Sequence, residues 1–514
     1  MNGAESLVET LAGAGVEVCF ANPGTSEMHF VAALDRVGGV RCVLGLFEGV
    51  ATGAADGYAR VADRPASTLL HLGPGLANGL ANVHNARRAN TPMVNIVGDH
   101  ATYHKAYDAP LTSDVEGVAR PFSDWVRTSA NSRSVARDGA AAVAAAMAPP
   151  GRVATLILPA DASWGEADEP APLPPVEGRA SVAPEAISEA ARVLRSGEPA
   201  VLFLGGPAVR GRGLELAGRI SAGTGARLVA QTHSARKERG AGRVAPERLP
   251  YPVDAALETL AGTRHLLLVG TKTPVAFFAY PGKPSALSSP DCEVRTLAGP
   301  AEEVVGALEA LAEELGVRGT AAPVGALEPP SVPEGSLTPE RAAVAVGALL
   351  PEGAIVVDEA ITASAAFFSG TQGALPHDWL DVTGGAIGIG LPLATGAAIA
   401  CPDRKVICLQ ADGSAMYTVQ ALWTQAREGL DVTTVLLNNR SYAILEQELA
   451  NVGADDAGRR ALDMMELDRP ALDWVGLAHG MGVEAGRART VDELDRQLAG
   501  GLRSEGPYLI DLVL

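Results

Sequence analysis

The sequence predicts an α/β protein built from three doubly wound parallel-sheet domains. Short apolar stretches that fit β-strands alternate with helical stretches along the chain, and this alternation is typical of parallel sheets covered by helices on both faces. Two segments rich in proline and acidic residues, 166–184 and 319–339, interrupt the alternation and are typical of linkers. A chain of 514 residues is also longer than a single hydrophobic core supports. We therefore expect domains at 1–165, 185–318 and 338–514.

The first domain shows the alternation clearly. It begins with a helix that carries Leu7, Val8 and Leu11 on one face, and a turn at 22–26 supplies a Ser/Thr cap for the next helix. The predicted strands lie at 16–20, 42–46, 68–72 and 93–97. A helix of small residues is predicted directly after Glu48.

The central domain is predicted to hold strands at 200–204, 227–230 and 265–269. Its Gly-Gly-Pro turn at 205–207 lacks the GxGxxG pattern that dinucleotide-binding turns carry. We therefore expect this domain to be structural. No residue of the chain supports flavin dependence, so FAD is not expected.

Composition and charge limit the classes of partner that the protein can bind. The formal net charge of −19 argues against nucleic acid and anionic membranes as partners. No apolar run reaches the roughly 18 residues of a membrane span, and the N-terminus lacks a basic stretch followed by an apolar core. The five cysteines form no CxxC pair and are odd in number, which predicts reduced thiols in the cytoplasm. We expect a soluble, unprocessed protein without disulfides.

Asp412 and Asn439 are candidate metal ligands. Each follows an apolar strand, predicted at 406–409 and 432–437, so their side chains should meet at neighbouring strand ends. A carboxylate and an amide oxygen suit Mg²⁺, which takes one or two protein ligands and completes its shell with water and phosphate oxygens. Gly413 lets the backbone approach a phosphate, and the helix that follows offers free N–H groups. Either half alone would fit an ordinary turn.

The two outer domains repeat one order of elements. Gly-Ala-Ala at 53–55 lies on a predicted helix before a strand and the turn 73–75, and Gly-Ala-Ala at 396–398 lies on a predicted helix before a strand and the turn 412–414. The small residues alone predict close packing of helices on a sheet. The shared order indicates two variants of one architecture.

Several motifs occur in a fixed order over the whole chain. They are Glu48 after a strand, Gly-Pro-Gly at 73–75, Gly-Gly-Ala-Ile-Gly at 384–388 before Leu391 and Pro392, and the pair Asp412 and Asn439. In this order they resemble the acetolactate synthase, benzoylformate decarboxylase and pyruvate oxidase superfamily of thiamine-diphosphate-dependent enzymes. Ala411 stands where the GDG motif of that superfamily has its first glycine. The chain looks most similar to the acetolactate-synthase large-subunit-like group.

The resemblance implies an architecture and two cofactors. The expected domains are an N-terminal pyrimidine-binding domain, a central domain and a C-terminal diphosphate-binding domain. In the family, thiamine diphosphate and Mg²⁺ lie between the first domain of one subunit and the third domain of another. A homodimer is therefore the smallest active unit that we expect, and a homotetramer is common.

The resemblance also gives roles to single residues. Glu48 matches the glutamate that hydrogen-bonds the pyrimidine ring, and Ile387 matches the apolar side chain that holds the cofactor bent. Taken alone, the first would fit a helix cap and the second a core position. The Gly385 backbone would accept a hydrogen bond from the pyrimidine amino group. The remaining matches are Thr362, Gly413, Ser414 and Tyr442 for the diphosphate, and Asp412, Asn439 and the Ser441 carbonyl for Mg²⁺.

His71 is a candidate catalytic histidine, but other positions of the predicted site depart from both benzoylformate decarboxylase and acetolactate synthase. His71 stands where benzoylformate decarboxylase has a catalytic histidine, although a solitary histidine at a strand end is more often structural. The second histidine of that enzyme has no counterpart, because Phe277 and Phe278 occupy its region. Acetolactate synthases usually carry a glutamine where this chain has Gly-Asp-His at 98–100.

The expected substrate contacts also come from the resemblance. Thr25 or Ser26 stands where the decarboxylase has its active-site serine, and Ile444, Leu445 and Glu448 match positions that face its substrate ring. A carboxylate at Glu448 makes an aromatic pocket costly unless it is paired or solvated, so we expect a small or polar 2-oxo acid in preference to benzoylformate. A glutamate on an amphipathic helix can equally point to solvent.

The expected activity is decarboxylation of a 2-oxo acid with thiamine diphosphate and Mg²⁺. Carboligation of acetolactate synthase type, with an aldehyde or a second 2-oxo acid as acceptor, is favoured by the overall resemblance. Non-oxidative decarboxylation, as in benzoylformate decarboxylase, is the alternative and rests on His71. A non-catalytic cofactor-binding or regulatory subunit is the third reading, and the intact Glu48, Asp412 and Asn439 count against it.

Overall fold

The computed structural model describes residues 1–454 and 456–514 and contains three sheets dominated by parallel strands. The predicted α/β fold class is confirmed. The two proline-rich segments connect the part of the chain that forms one sheet to the part that forms the next. Within the described residues, no helix combines the length and the apolarity that crossing a bilayer requires.

The N-terminal sheet is entirely parallel. Its strands are β1 (Val18–Asn22), β2 (Arg41–Leu44), β3 (Ala66–Leu70), β4 (Met93–Asp99), β5 (Trp125–Thr128) and β6 (Val153–Pro159). The helices are α1 (Gly3–Gly13), α2 (Met28–Val37), α3 (Glu48–Ala62), α4 (Leu72–Ala89), α5 (Val115–Ala119), α6 (Val135–Met147) and α7 (Ala160–Trp164). The strand order is β2-β1-β3-β4-β6-β5, so the chain that leaves β1, β2 and β3 emerges at one edge of the sheet.

The junction between β3 and α4 differs from the prediction. The strand ends at Leu70, two residues early, and His71 is the N-cap residue of α4. Residues 73–75 form the first turn of this helix, although they were expected to form a loop. Leu72 has a φ of 49°, in the left-handed region that a leucine rarely adopts. The chain therefore turns sharply from strand into helix, and the backbone at His71 is set by a strained neighbour.

The central sheet contains the three strands that the sequence predicts. Its elements are α8 (Pro184–Arg195), β7 (Ala200–Leu204), α9 (Gly211–Thr224), β8 (Arg227–Ala230), β9 (Lys237–Arg239), β10 (Glu247–Arg248), α10 (Val253–Thr259), β11 (His265–Val269), β12 (Glu293–Ala298) and α11 (Val304–Glu314). The strand order is β10-β8-β7-β11-β12, and every pairing in it is parallel. Strand β9 lies in this part of the chain but belongs to the C-terminal sheet.

The C-terminal sheet has the order β17-β18-β16-β15-β13-β14-β9. Its own strands are β13 (Ile355–Glu359), β14 (His377–Asp381), β15 (Val406–Ala411), β16 (Val432–Asn438), β17 (Glu484–Ala488) and β18 (Tyr508–Val513). The helices are α12 (Pro339–Leu349), α13 (Ser364–Gly370), α14 (Gly390–Ala400), α15 (Asp412–Ala415), α16 (Ala421–Glu428), α17 (Ala443–Asn451), α18 (Arg459–Leu462), α19 (Trp474–Gly480) and α20 (Val491–Arg503).

Strand β9 makes this third sheet mixed, whereas the prediction was purely parallel. It pairs antiparallel with β14, and Lys237 lies opposite Trp379 while Arg239 lies opposite His377. The strand covers the outer edge of β14, which would otherwise present unpaired backbone groups. A segment from the central part of the chain therefore completes the C-terminal sheet.

The small residues of α3 and α14 pack on each other, helix against helix. A Cβ atom on Gly396 would lie 1.9 Å from the Ala54 carbonyl oxygen, and one on Gly57 would lie 2.1 Å from the Leu393 carbonyl oxygen. The expectation of packing between helix and sheet named the wrong partner for these residues. One apolar core runs through both helices and joins the N-terminal sheet to the C-terminal sheet.

We predict that Gly396→Ala destabilises the protein by about 1–3 kcal/mol, because a methyl group has no room beside Ala54. Gly500→Ala is the matched control, since no atom lies within 4 Å of a Cβ atom on that helical glycine. The control should be neutral or slightly stabilising. Urea unfolding of both variants measures the difference, and equal midpoints would contradict the close helix contact.

Candidate active site

Glu48 and His71 lie together at the edge of the N-terminal sheet. Glu48 is the first residue of α3, is 9% exposed, and accepts a hydrogen bond from Asn78 Nδ2 at 3.0 Å. A Cβ atom on Gly75 would lie 3.2 Å from Glu48 Oε1 and 3.2 Å from the Cβ of His71. The two side chains therefore flank the first turn of α4, and glycine keeps the space between them open.

His71 is held by a buried carboxylate that the sequence analysis missed. Its Nδ1 lies 2.8 Å from Glu27 Oε2, and Glu27 is 3% exposed. The same carboxylate accepts hydrogen bonds from Gly24 N at 2.8 Å and from Ser26 Oγ at 2.5 Å. Ser26 Oγ also lies 3.3 Å from His71 Nδ1. A carboxylate at Nδ1 favours the tautomer that is protonated there, so Nε2 is left for chemistry.

A neighbouring glycine shows how the sequence makes room for this arrangement. A Cβ atom on Gly98 would lie 1.7 Å from Glu27 Oε1, so only glycine fits beside the carboxylate. This glycine begins the Gly-Asp-His stretch that departs from acetolactate synthases. Of the two predicted serine replacements, the structure brings Ser26 to His71, whereas the side chain of Thr25 is exposed.

Asp412 and the loop after β16 meet at the edge of the C-terminal sheet, as the spacing predicts. Strands β15 and β16 pair in parallel up to Ala411 and Leu437. Asp412 is 2% exposed, and its two carboxylate oxygens accept hydrogen bonds from Gly413 N and Arg440 N, each at 2.8 Å. Burial raises the pKa of Asp412 to about 6, while the backbone hydrogen bonds oppose this shift. A divalent cation at this carboxylate would favour its charged form.

The other predicted metal ligands lie on the same loop. Asn439 is exposed, and its Oδ1 accepts a hydrogen bond from Ser441 N at 3.0 Å. Arg440, between them, has a φ of 56° and brings its N–H to Asp412. Among the described residues, no three His, Cys, Asp or Glu side chains form a metal cluster. One carboxylate with amide and carbonyl oxygens nevertheless fits Mg²⁺, which retains several waters.

A second buried carboxylate, Glu359, fixes the turn that carries Ile387. It is 1% exposed and accepts hydrogen bonds from Gly388 N at 2.7 Å and Gly390 N at 2.6 Å. Ile389 N donates to it as well, at 3.3 Å. Burial raises the pKa of Glu359, and these hydrogen bonds oppose the shift. The carboxylate thus caps the start of α14 and sets the backbone on both sides of the turn.

Gln410 links this turn to the predicted diphosphate loop. Its Nε2 donates to Glu359 Oε2 at 2.9 Å and to Ser414 Oγ at 2.7 Å. Ser414 Oγ in turn donates to the Ala411 carbonyl oxygen at 3.1 Å. A Cβ atom on Gly413 would lie 2.4 Å from the ring of Tyr442, so the backbone and the tyrosine are in close contact there. Neither Glu359 nor Gln410 was predicted, since their neighbours are set by tertiary contacts.

Thr362 follows a strained residue at the end of β13. Ile361 has a φ of 51°, which is a true outlier for a β-branched side chain. Both residues belong to a short 3₁₀ turn, and both line the cavity that is described next. Strained backbone of this kind persists where surrounding contacts determine it and is concentrated at functional sites.

A cavity of about 1010 Å³ lies between the central and C-terminal parts of the chain. Six predicted residues line it, namely Thr362, Gly385, Ile387, Tyr442, Ile444 and Leu445, and Glu448 is a seventh. All the residues that line it fall between 209 and 464. Glu48 and His71, from the N-terminal sheet, are therefore not part of this cavity within one chain.

The cavity also contains residues that the sequence analysis did not assign. His233 lines it and lies edge-on to Phe277, with ring centroids 6.1 Å apart. Burial lowers the pKa of His233 to about 4, so its imidazole is neutral at pH 7. No sequence motif marked this histidine. In the sequence, Phe277 and Phe278 occupy the region where the decarboxylase has its second histidine.

The fold and the site together define the class of protein. Three sheets dominated by parallel strands, a glutamate at one sheet edge and an Asp–Asn loop pair at another are the features of a thiamine-diphosphate-dependent enzyme. Residues 1–117 match the family described as thiamine pyrophosphate enzyme, N-terminal TPP binding domain, and residues 363–512 match its C-terminal TPP binding domain. The chain belongs to the thiamine pyrophosphate enzyme family, and the predicted resemblance is confirmed.

Three relatives illustrate the range of this family. A Mycobacterium tuberculosis protein, provisionally named acetolactate synthase large subunit, is 55% identical over 100% of this chain and 99% of its own. The benzoylformate decarboxylase of Pseudomonas aeruginosa is 30% identical over 98% of this chain and 97% of its own. The structure of a Rhodococcus jostii thiamine diphosphate-dependent 4-hydroxybenzoylformate decarboxylase superposes with a TM-score of 0.86 and 25% identity, covering 100% of this chain and 99% of the other.

We predict that Glu359→Gln weakens binding of thiamine diphosphate at least tenfold, because an amide presents an N–H group to backbone donors that now meet a carboxylate. Glu352→Gln is the control, since Glu352 is exposed in the same part of the chain. Calorimetric titration with the cofactor gives both affinities. An unchanged affinity for Glu359→Gln would show that the turn holds its shape without this carboxylate.

Proposed function

We propose that this enzyme decarboxylates a 2-oxo acid with thiamine diphosphate and Mg²⁺, and that His71 then delivers the proton that completes an aldehyde product. The observation that carries the proposal is the anchoring of His71 by buried Glu27, on the sheet edge that also holds Glu48. When bound, thiamine diphosphate supplies the electron sink for the loss of CO₂. The protein supplies position, exclusion of water and proton transfer.

Each residue in the first half has a task in this proposal. Glu48, nearly buried and held by Asn78, exchanges a proton with the pyrimidine ring of the cofactor. His71 carries the product's proton on Nε2, because Nδ1 is engaged by Glu27. Ser26 donates a hydrogen bond to the same carboxylate and would take the place of the decarboxylase's active-site serine, whereas Thr25 is exposed.

The second half would hold the cofactor. Asp412, Asn439 and the Ser441 carbonyl supply oxygen ligands for Mg²⁺, and their loops already touch through Arg440. Four residues, Thr362, Gly413, Ser414 and Tyr442, would contact the diphosphate. Ile387 would support the cofactor, and the Gly385 backbone would accept a hydrogen bond from its amino group. The close approach of Gly413 to Tyr442 supports this assignment, because a side chain at position 413 would collide with the tyrosine ring.

Carboligation is the second candidate function. It is favoured by the 55% identity to the Mycobacterium tuberculosis relative, which is named for acetolactate synthase. The two functions share the decarboxylation step and differ in the electrophile that then takes up the electron pair, which is a proton in the first and an acceptor carbonyl carbon in the second. The third reading, a non-catalytic subunit, is opposed by the intact Glu48, Asp412 and Asn439.

We further propose that two copies of the chain share each active site. Glu48 and His71 do not line the cavity beside Ile387 within one chain, so a second chain is needed to bring such residues to that cavity. A homodimer supplies this second chain, and a homotetramer would do so twice. The substrate would then lie among Ile444, Leu445 and Glu448 of one subunit. A cytoplasmic location also remains a proposal, supported by the free cysteines in the described chain.

We predict that the wild type, given thiamine diphosphate, Mg²⁺ and a panel of 2-oxo acids, releases CO₂ and aldehyde. His71→Ala should lower aldehyde formation about 10²–10⁴-fold. It should lower CO₂ release less and shift products toward ligation when an aldehyde acceptor is present. His479→Ala is the control, because His479 is exposed in another part of the chain. Mass spectrometry identifies the products.

Two results would change this assignment. An unchanged rate and product ratio for His71→Ala would return His71 to a structural role. Ligated products as the main products of the wild type without added aldehyde would favour the second candidate.

We predict that mixing Glu48→Gln chains with Asp412→Ala chains restores about a quarter of wild-type activity. Each variant alone should be inactive. After random exchange, half of the dimers are mixed, and each mixed dimer contains one site that is free of substitutions. Activity after subunit exchange, verified by native mass spectrometry, measures this. Exchange without recovery would argue that each site is built from one chain.

A further inference from the structure

We propose that Glu448 selects 2-oxo acids whose far end is an aromatic ring bearing a neutral hydrogen-bond donor, such as a hydroxyl group. The proposal rests on the proposed function and goes beyond it by naming the substrate class. It follows from the contacts of Glu448, from the aromatic side chains between it and the cofactor site, and from the charges on the cavity wall.

Glu448 is fixed as an acceptor on the cavity wall. Its Oε1 accepts hydrogen bonds from the hydroxyl groups of Tyr280 at 3.1 Å and Tyr251 at 3.4 Å, and from Asn451 Nδ2 at 3.3 Å. Burial raises the pKa of both tyrosines, so they remain neutral donors. Among the described residues, none donates a hydrogen bond to Oε2. One oxygen is therefore held by the protein, and the other is left for a ligand.

Aromatic rings connect this carboxylate to the turn of Ile387. A Cβ atom on Gly385 would lie 2.4 Å from the ring of Phe277, so Phe277 touches that turn. The centroid of Tyr251 lies 5.4 Å from that of Phe277, and the Tyr251 hydroxyl reaches Glu448. The route from the cofactor turn to the carboxylate is thus lined by ring faces and edges. A flat aromatic ligand suits such a route.

The exposed rings on this wall support a ligand of this shape. Phe277 and Phe278 are 43% and 53% exposed, and both line the cavity. Their ring centroids lie 5.0 Å apart in an edge-to-face arrangement. Exposed aromatic side chains that are gathered in a cavity mark a surface that an apolar ligand covers.

The charges on the cavity wall argue for a neutral donor. Lys237, Arg239 and Arg248 line the same cavity and gather around the ring of Phe368, at 4.9, 3.6 and 4.3 Å from its centroid. A cationic tail would be repelled by these three groups on the same cavity wall. A carboxylate tail would be repelled by Glu448 itself. A hydroxyl group avoids both conflicts and can donate to Oε2.

Two of the three basic groups, Lys237 and Arg248, are paired with acids, and Arg239 is held by a hydrogen bond and a ring, so the three do not demand an anionic ligand. Lys237 Nζ lies 2.7 Å from Asp381 Oδ2. Arg248 lies within 4.0 Å of both Asp358 and Asp381. Arg239 donates to Thr371 Oγ1 at 2.9 Å and stacks on Phe368.

An unsubstituted aromatic ring could not donate a hydrogen bond to Oε2 of Glu448. It would cover Oε2 and remove its water without replacing the lost hydrogen bond. Sites built to bond a substrate hydroxyl discriminate strongly against the analogue that lacks it. Benzoylformate should therefore be a poorer substrate than the same molecule with a hydroxyl group in the para position.

The test compares kcat/KM for benzoylformate and para-hydroxybenzoylformate in the wild type, Glu448→Leu and Glu448→Gln. The wild type should prefer the hydroxylated substrate at least tenfold. Glu448→Leu should reduce this preference to about twofold or less, mainly by accepting benzoylformate better. Glu448→Gln keeps an acceptor and should give an intermediate ratio. Glu352→Leu, at an exposed position outside the cavity, should keep the wild-type ratio.

The possible failures separate the two proposals. Equal ratios in the wild type and Glu448→Leu would overturn the role of Glu448. So would turnover of pyruvate, or of a guanidinium-bearing 2-oxo acid, in preference to both aromatic substrates, while the proposed function would stand. No CO₂ release from any 2-oxo acid by cofactor-loaded protein would overturn the proposed function and this inference together.

Discussion

The contact between α3 and α14 is the constraint on which the rest of the arrangement depends. Backbone meets backbone at Gly57 and Gly396, where no side chain could be inserted. Helix α3 begins at Glu48, and α14 begins three residues after Ile387, so each helix starts at one half of the candidate site. Because interiors are packed like crystals, neither helix can slide without opening a gap. The crossing therefore fixes the positions of the two helix starts relative to each other.

Inside each half, a buried carboxylate performs the fine positioning. Glu27 holds His71, and Glu359 holds the turn before α14. Both sit where a neighbouring glycine leaves space, since a Cβ atom on Gly98 or on Gly390 would meet the carboxylate within 3 Å. A buried charge is costly unless several donors surround it. Each carboxylate therefore requires a particular backbone geometry, and that geometry carries the neighbouring functional side chain.

The sequence predicted what local patterns determine and missed what tertiary contacts determine. Periodicity located the strand 200–204 to the residue, and the shared edge of parallel strands explains why Asp412 and the Asn439 loop meet. Glu27 could not be found in this way, because an acidic residue after a turn is usually a solvent-exposed cap. Its role depends on His71, which lies far from it in sequence. The sequence likewise could not show which element the small residues on α14 pack against, because that contact depends on how the two helices cross.

The short strand β9 ties the central part of the chain to the C-terminal sheet. Lys237–Arg239 seals the side of β14, and the polypeptide returns to the central sheet at β10. A fragment that began at the second linker would therefore leave the backbone of β14 unpaired. Such a naked edge recruits other chains. The boundary of the C-terminal sheet therefore does not coincide with the second linker, and any evolutionary exchange of the central segment would have to bring its own edge strand.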